Sequence, residues 1–85
     1  MKNFKYTIKD PDGIHARPAG LLVKTAEKFQ SKITLVNKGK TGDAKGIFSV
    51  MGLNVKCGDE IEIMAEGPDE EEAIDLIGRF LEENL

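Results

Sequence analysis

The sequence predicts an α+β sandwich of two layers, one four-stranded sheet with its helices on one face. Three observations carry that reading. Short segments around Phe4–Ile8, Ile33–Leu35 and Ile61–Ala65 alternate apolar and polar residues with the period of half-buried strands. Longer segments around Ala19–Phe29 and Ala73–Leu81 repeat apolar residues at helical spacing. At 85 residues the chain has room for one core, and a single domain spanning 1–85 is expected. A sheet and an amphipathic helix each have an apolar face to bury, and two stacked layers bury both.

Taken in order, Phe4, Tyr6 and Ile8 alternate with Lys5, Thr7 and Lys9 in the first strand. The dense turn signal Asp10-Pro11-Asp12-Gly13 stops it. Ala19, Leu22, Val23, Ala26 and Phe29 mark the buried stripe of the first helix, with Lys24, Glu27 and Lys28 on its outer face. Pro18 has no N–H to donate and is tolerated only in a first turn, which sets the helix start near His15 or Ala16. Ile33 and Leu35 alternate with Lys32 and Thr34 in a second strand. Asn37-Lys38-Gly39-Lys40 reads as a hairpin turn into a short third strand over Lys40–Asp43.

Ile47, Phe48, Val50, Met51 and Leu53 form an apolar cluster too short for a long helix and poorly alternating for a strand, which predicts a short helix. After a turn at Cys57-Gly58-Asp59, Ile61, Ile63 and Ala65 alternate with Glu60, Glu62 and Glu66 in a fourth strand. Gly67-Pro68-Asp69 breaks it, and Asp69 with Glu72 three residues on has the pattern of a capping box. Ala73, Ile77, Phe80 and Leu81 mark the buried stripe of the last helix, with Glu70 and Glu71 at its positive end.

Composition narrows the function classes. The chain is 40% hydrophobic and 32% charged, as a globular protein is. A net charge of -3 argues against general nucleic-acid binding, which goes with a strongly basic surface. The charge is uneven, with eleven Lys/Arg against four Asp/Glu in residues 1–57, and one Arg against eleven acids in residues 58–85. That pattern reads as a solvated acidic helix at the end of the chain, or as a basic portion that steers an acidic partner. The single cysteine, Cys57, forms no intrachain disulfide, which suits a reducing compartment. No stretch approaches the roughly 18 apolar residues of a membrane span, and Met1–Tyr6 lacks an apolar signal core. A cytoplasmic protein without membrane insertion is expected.

The one histidine, His15, falls where the turn hands over to the first helix. A helix start offers unpaired N–H groups and about half a positive charge, a ready place for an anion such as phosphate. The same positive end favours a neutral ring, the form whose nitrogen can attack phosphorus, and then favours the charged group once attached. Arg17 adds a planar fork of donors suited to phosphate oxygens. On residue chemistry alone, His15 also reads as a helix cap or surface residue, and Arg17 as a solvated charge. One His and one Cys supply too few ligands for zinc, so no metal centre and no cofactor are expected. A Cys57–His15 nucleophilic pair is conceivable, but Cys57 sits in a turn far along the chain. The Ile47–Leu53 cluster reads either as core or as a partly exposed docking patch anchored by Phe and Met.

The run Gly13-Ile14-His15-Ala16-Arg17-Pro18-Ala19 resembles the active-site signature of HPr, the histidine-containing phosphocarrier family of the bacterial sugar phosphotransferase system. Gly39-Lys40, Ala44-Lys45, the Ile47–Leu53 cluster, Gly58-Asp59-Glu60 and Ala65-Glu66-Gly67 extend the resemblance over nearly the whole chain. It implies an open-faced sandwich of four antiparallel strands with three helices on one side. It implies that His15 takes a phosphoryl group on Nδ1 from phosphorylated enzyme I, itself charged by phosphoenolpyruvate. His15 would then hand the group to A-type components of the sugar-specific enzyme II complexes. Arg17 would steady the group together with Ala16 and Pro18 at the helix start. Gly20 and Lys24 of the first helix, with Ile47, Phe48 and Met51, would form the docking surface of a monomeric carrier, a co-substrate rather than an enzyme.

The sequence departs from the family at Gly46, where many members carry a regulatory serine. Glycine has no hydroxyl for the family's kinase to use, and Ser49, one helical turn on, reads as an ordinary surface serine before it reads as a substitute. Two other functions stand beside the sugar carrier. One is a carrier in a regulatory or nitrogen-type phosphotransfer chain. The other is a non-catalytic module that binds RNA or a small effector on its sheet, which the lack of paired strand aromatics argues against.

Overall fold

The computed structural model describes residues 1–85. Its elements are β1 (Lys2–Thr7), α1 (Ala16–Glu27), β2 (Lys32–Asn37), β3 (Lys40–Asp43), α2 (Ile47–Met51), β4 (Glu60–Glu66) and α3 (Glu70–Asn84). The four strands form one antiparallel sheet in the order β1-β4-β2-β3. Strand pairing sets which residues face the helices. Phe4 lies opposite Ile63 and Tyr6 opposite Ile61, while Ile63 and Ile61 also pair with Leu35 and Asn37. Ile33, Leu35, Ile61, Ile63 and Ala65 are completely buried beneath Leu22 and Ala26 of α1 and Ala73, Ile77 and Leu81 of α3. Burying one such branched side chain contributes about 1.5–3 kcal/mol, so this single layer of contacts dominates the stability.

The other face of the sheet is open. It carries the rows Lys5–Glu62–Val36–Thr41 and Asn3–Met64–Thr34–Asp43, and the Asn3 amide donates to Glu62 Oε2 at 2.7 Å across it. Phe4 and Tyr6 pack instead on the helix side, against the core. The open face therefore has no aromatic platform for stacking bases, which removes the structural basis of a sheet-binding RNA module.

Local chemistry explains the punctuation. Lys38 and Gly39 both take positive φ, 52° and 82°, the geometry of a two-residue hairpin turn that matches the twist of β2 and β3. Helix α1 ends at Glu27, so Phe29 lies beyond it and is half-buried, as is Val23.

Asp69 does not build the capping box that its spacing with Glu72 suggested. Its side chain makes no cap hydrogen bond to α3. It accepts instead from the N–H groups of Gln30 and Ser31 at 2.9 Å and from the Ser31 hydroxyl, clamping the α1–β2 link to the start of α3. Glu70 is the residue that reaches back, accepting from the Gly67 N–H at 3.1 Å. The long-range clamp uses the acceptor that a local box would have needed.

Candidate functional site

Three straps hold the segment before α1. Within the turn, the Gly13 N–H donates to the Asp10 carbonyl at 2.9 Å and the Asp12 N–H to Asp10 Oδ1 at 2.8 Å. From below, the Ile14 N–H donates to the Val55 carbonyl at 3.1 Å, and the Ile14 side chain is buried. Gly13 makes this approach possible. It has φ +65°, and a Cβ there would stand 2.2 Å from the Val55 oxygen. On the third side, the N–H groups of Lys9 and Asp10 donate to the Leu85 carbonyl at 2.6 and 2.9 Å.

The straps leave His15 extended (φ -88°, ψ -178°) as the N-cap of α1. Its carbonyl accepts the first helical bond, from the Ala19 N–H at 3.0 Å. Its side chain caps nothing, and no acidic residue sits in the first turn. The Ala16 and Arg17 N–H groups consequently have no acceptor within the chain, and Pro18 has no N–H to satisfy. Pro18 is buried, whereas Ala16 and Arg17 are exposed.

The His15 side chain is 43% exposed, and its Nε2 lies 3.8 Å from Asp10 Oδ2. It opens on a shallow depression of about 220 Å³ lined by Asp10, His15, Arg17, Pro18, Leu21 and Asn84. A neutral imidazole here is an accessible nucleophile. The free N–H pair, the positive helix end and the Arg17 fork around it suit an oxyanion. A larger depression of about 460 Å³ lies between β1 and α3, but it holds neither histidine nor cysteine and is lined by Phe4, Lys5, Tyr6, Ile74, Asp75, Gly78, Arg79 and Glu82. Size does not locate the chemistry in this molecule.

The remaining candidates distribute as follows. On α1, Gly20 is half-buried with open space over its Cα, Lys24 is exposed, and Leu21, which sequence reasoning did not single out, is 43% exposed. Helix α2 packs beside α1. It divides its cluster sharply, with Val50 and Leu53 in the core, Ile47 half-buried, Met51 exposed, and Phe48 86% exposed. Gly46 is the N-cap of α2 in ordinary extended backbone, with Ser49 one turn on and exposed. Cys57 is exposed, its thiol 3.7 Å from the Lys9 carbonyl. Asp10 is the residue whose place beside His15 spacing alone did not reveal. The Asp-Pro-Asp-Gly turn was legible, but not the direction of its first carboxylate.

A family model described as the PTS HPr component phosphorylation site matches residues 2–83. The chain belongs to the HPr family. It is 48% identical over 85 residues to the phosphocarrier protein HPr of Mycoplasma genitalium, covering 99% of this chain and 97% of that one. The phosphocarrier protein HPr of Mycoplasma pneumoniae is 46% identical over the same shares. A solved structure of the histidine-containing phosphocarrier protein from a study of Mycoplasma divergence superposes with a TM-score of 0.94 at 41% identity, covering 96% and 93% of the two chains. HPr of Thermoanaerobacter tengcongensis superposes with a TM-score of 0.92 at 44% identity, covering 96% and 92%. The HPr architecture, an open-faced antiparallel sheet with three helices, is the one described above. No helix is long and apolar enough to cross a membrane.

Proposed function

We propose that this HPr-family chain carries a phosphoryl group on His15, accepting it from phosphorylated enzyme I and passing it to A-type components of sugar-specific enzyme II complexes. One observation supports this above the others. The only histidine is an exposed N-cap whose side chain leaves the N–H groups of Ala16 and Arg17 free beside it. A phosphoryl group on the ring supplies the acceptors that the chain itself withholds. Arg17, lining the same depression, pairs with its oxygens and keeps its charge throughout the cycle.

The apolar side chains that α1 and α2 leave exposed, with Gly20, Lys24, Ile47, Phe48 and Met51, form the shared docking surface for donor and acceptors. The protein acts as a monomeric cytoplasmic co-substrate rather than as an enzyme, since each cycle is completed by a second protein. It needs no metal and no cofactor. Because Gly46 has no hydroxyl, serine-directed regulation is absent at that position.

Incubation with phosphoenolpyruvate and enzyme I is expected to add one acid-labile phosphate to the wild type and none to His15→Ala. Equal labelling of His15→Ala would refute the assignment. The family's serine kinase with ATP should add nothing, and phosphate found at Ser49 would overturn the regulatory part alone.

A further inference from the structure

Asp10 is fixed more tightly than a turn residue needs to be. Its N–H donates to the Leu85 carbonyl, its carbonyl accepts from Gly13, and Oδ1 accepts from the Asp12 N–H. With those contacts made, the direction of the remaining oxygen is set. Oδ2 lies 3.8 Å from His15 Nε2, and the Asp10 side chain is only 22% exposed. The carboxylate of exposed Asp12 shares this corner, with one donor atom each of Asp10, Asp12 and His15 within 4.8 Å of one another. Arg17 is the cation that lines the same depression.

We propose that Asp10 is a positioning residue for His15, holding the ring proton on Nε2 so that the Nδ1 lone pair faces the incoming phosphorus. The inference rests on His15 being the phosphoryl acceptor. An ionised carboxylate is acceptor-only, so the ring nitrogen facing it is favoured in its N–H form. The 3.8 Å separation is longer than a hydrogen bond, and such contacts commonly tighten once the reacting group is in place.

In the transfer step the Nδ1 lone pair forms the new N–P bond while the donor–phosphorus bond breaks, its electron pair staying with the donor. The proton on Nε2 does not move. The ring becomes a phosphorylated imidazolium, and its positive charge faces Asp10, which offsets the opposing field of the helix end. Hand-off to the acceptor reverses the same changes.

The test uses Asp10→Asn. Asparagine keeps the Oδ1 acceptor for the Asp12 N–H, so the turn is retained, but it points N–H donors at Nε2 and favours a lone pair there. Nitrogen-15 NMR of the unphosphorylated protein should show Nε2–H as the main neutral tautomer in the wild type and a shift towards Nδ1–H in Asp10→Asn. Phosphoryl acceptance from enzyme I and phosphoenolpyruvate should slow roughly tenfold in the same variant. Unchanged ring nitrogen shifts in Asp10→Asn overturn the proposal. A slower Asp10→Ala protein with a wild-type tautomer also overturns it, since the loss would then come from the turn. The tautomer is read without phosphate, so a wild type that takes no label defeats the carrier reading and is told apart from this one.

Discussion

Helices α1 and α3 begin with opposite electrostatics. The first turn of α3 carries Glu70, Glu71 and Glu72, and the start of α1 carries no acid at all, with Arg17 where an acid would be favourable. Both starts have the same positive end and the same orphan N–H groups. At α3 the chain provides its own anions, and Glu70 is further held by the amino group of Met1 at 2.9 Å and by the Gly67 N–H. These contacts, the amino group first, hold the Glu70 carboxyl below its ordinary 4.5. At α1 no acid stands in the first turn, and no acceptor within the chain takes the Ala16 and Arg17 N–H groups. The contrast teaches that a helix start can be matched by the chain's own acids or left without them, and this fold does one at each end of its helical layer.

The largest expected effect comes from making α1 resemble α3. Ala16 is exposed, so Ala16→Glu adds a carboxylate to the first turn without disturbing the core. A fixed negative charge a few ångströms from the phosphoryl group opposes it by about 1–2 kcal/mol, and labelling through enzyme I should slow by roughly tenfold or more. The same carboxylate should raise helix stability by about 0.3–1 kcal/mol. Opposite signs in transfer rate and in urea stability are the result that supports the comparison. A variant that labels at the wild-type rate breaks it.

The converse change weakens the contacts beside the acid-rich start of α3. Asp69 is held below its ordinary 3.8 first by the Ser31 hydroxyl and then by the Gln30 N–H. Asp59 is lowered as well, first by the Lys56 N–H at 3.0 Å and also by Lys38 at 3.5 Å. A carboxylate whose folded pKa is depressed contributes stability that is present above its unfolded value and is lost as pH falls through the folded one. The melting temperature of the wild type should therefore fall as pH drops from about 5 towards 2. Asp69→Ala should melt lower than the wild type at pH 7, and the gap should close in acid. Because Asp69 stands at the start of α3, while the other end of that helix, at Asn84, lines the His15 depression, labelling at pH 7 should be unchanged. A gap that persists undiminished at pH 2 would show that the clamp acts through shape rather than charge.

The two helix starts also differ in how much of them the sequence discloses. Period-two alternation marked Ile61, Ile63 and Ala65, and the helical stripe marked Ala73, Ile77, Phe80 and Leu81, because burial imposes a local repeat; all seven are buried. The α1 start was legible from Pro18, whose missing N–H confines it to a first turn. The role of Asp69 is not legible in this way, since its partners Gln30 and Ser31 lie 39 and 38 residues away and no local pattern encodes such a bond. The strand order β1-β4-β2-β3 is non-local in the same sense. Family resemblance, not periodicity, supplied the antiparallel arrangement. Asp10 sat inside a recognised turn, but its aim at His15 depends on the Leu85 carbonyl, which closes the chain back onto that turn.

The smallest effect lies on α1 itself, one turn beyond His15. Gly20 sits in a helix interior, where glycine costs about 0.5–1 kcal/mol relative to alanine, and a Cβ there would meet nothing within 4 Å. Gly20→Ala should therefore stabilise the protein by about 0.5–1 kcal/mol in urea denaturation. Nothing within 4 Å of a Cβ there explains that penalty, and the docking surface proposed above would give the glycine a use. If α1 docks enzyme I through this face, the added methyl should raise KM for the carrier while leaving the limiting transfer rate near that of the wild type. A stabilised variant with unchanged KM removes Gly20 from the docking surface, yet leaves the open helix start and His15 untouched. The substitution thus separates what α1 contributes through its end from what it contributes through its side.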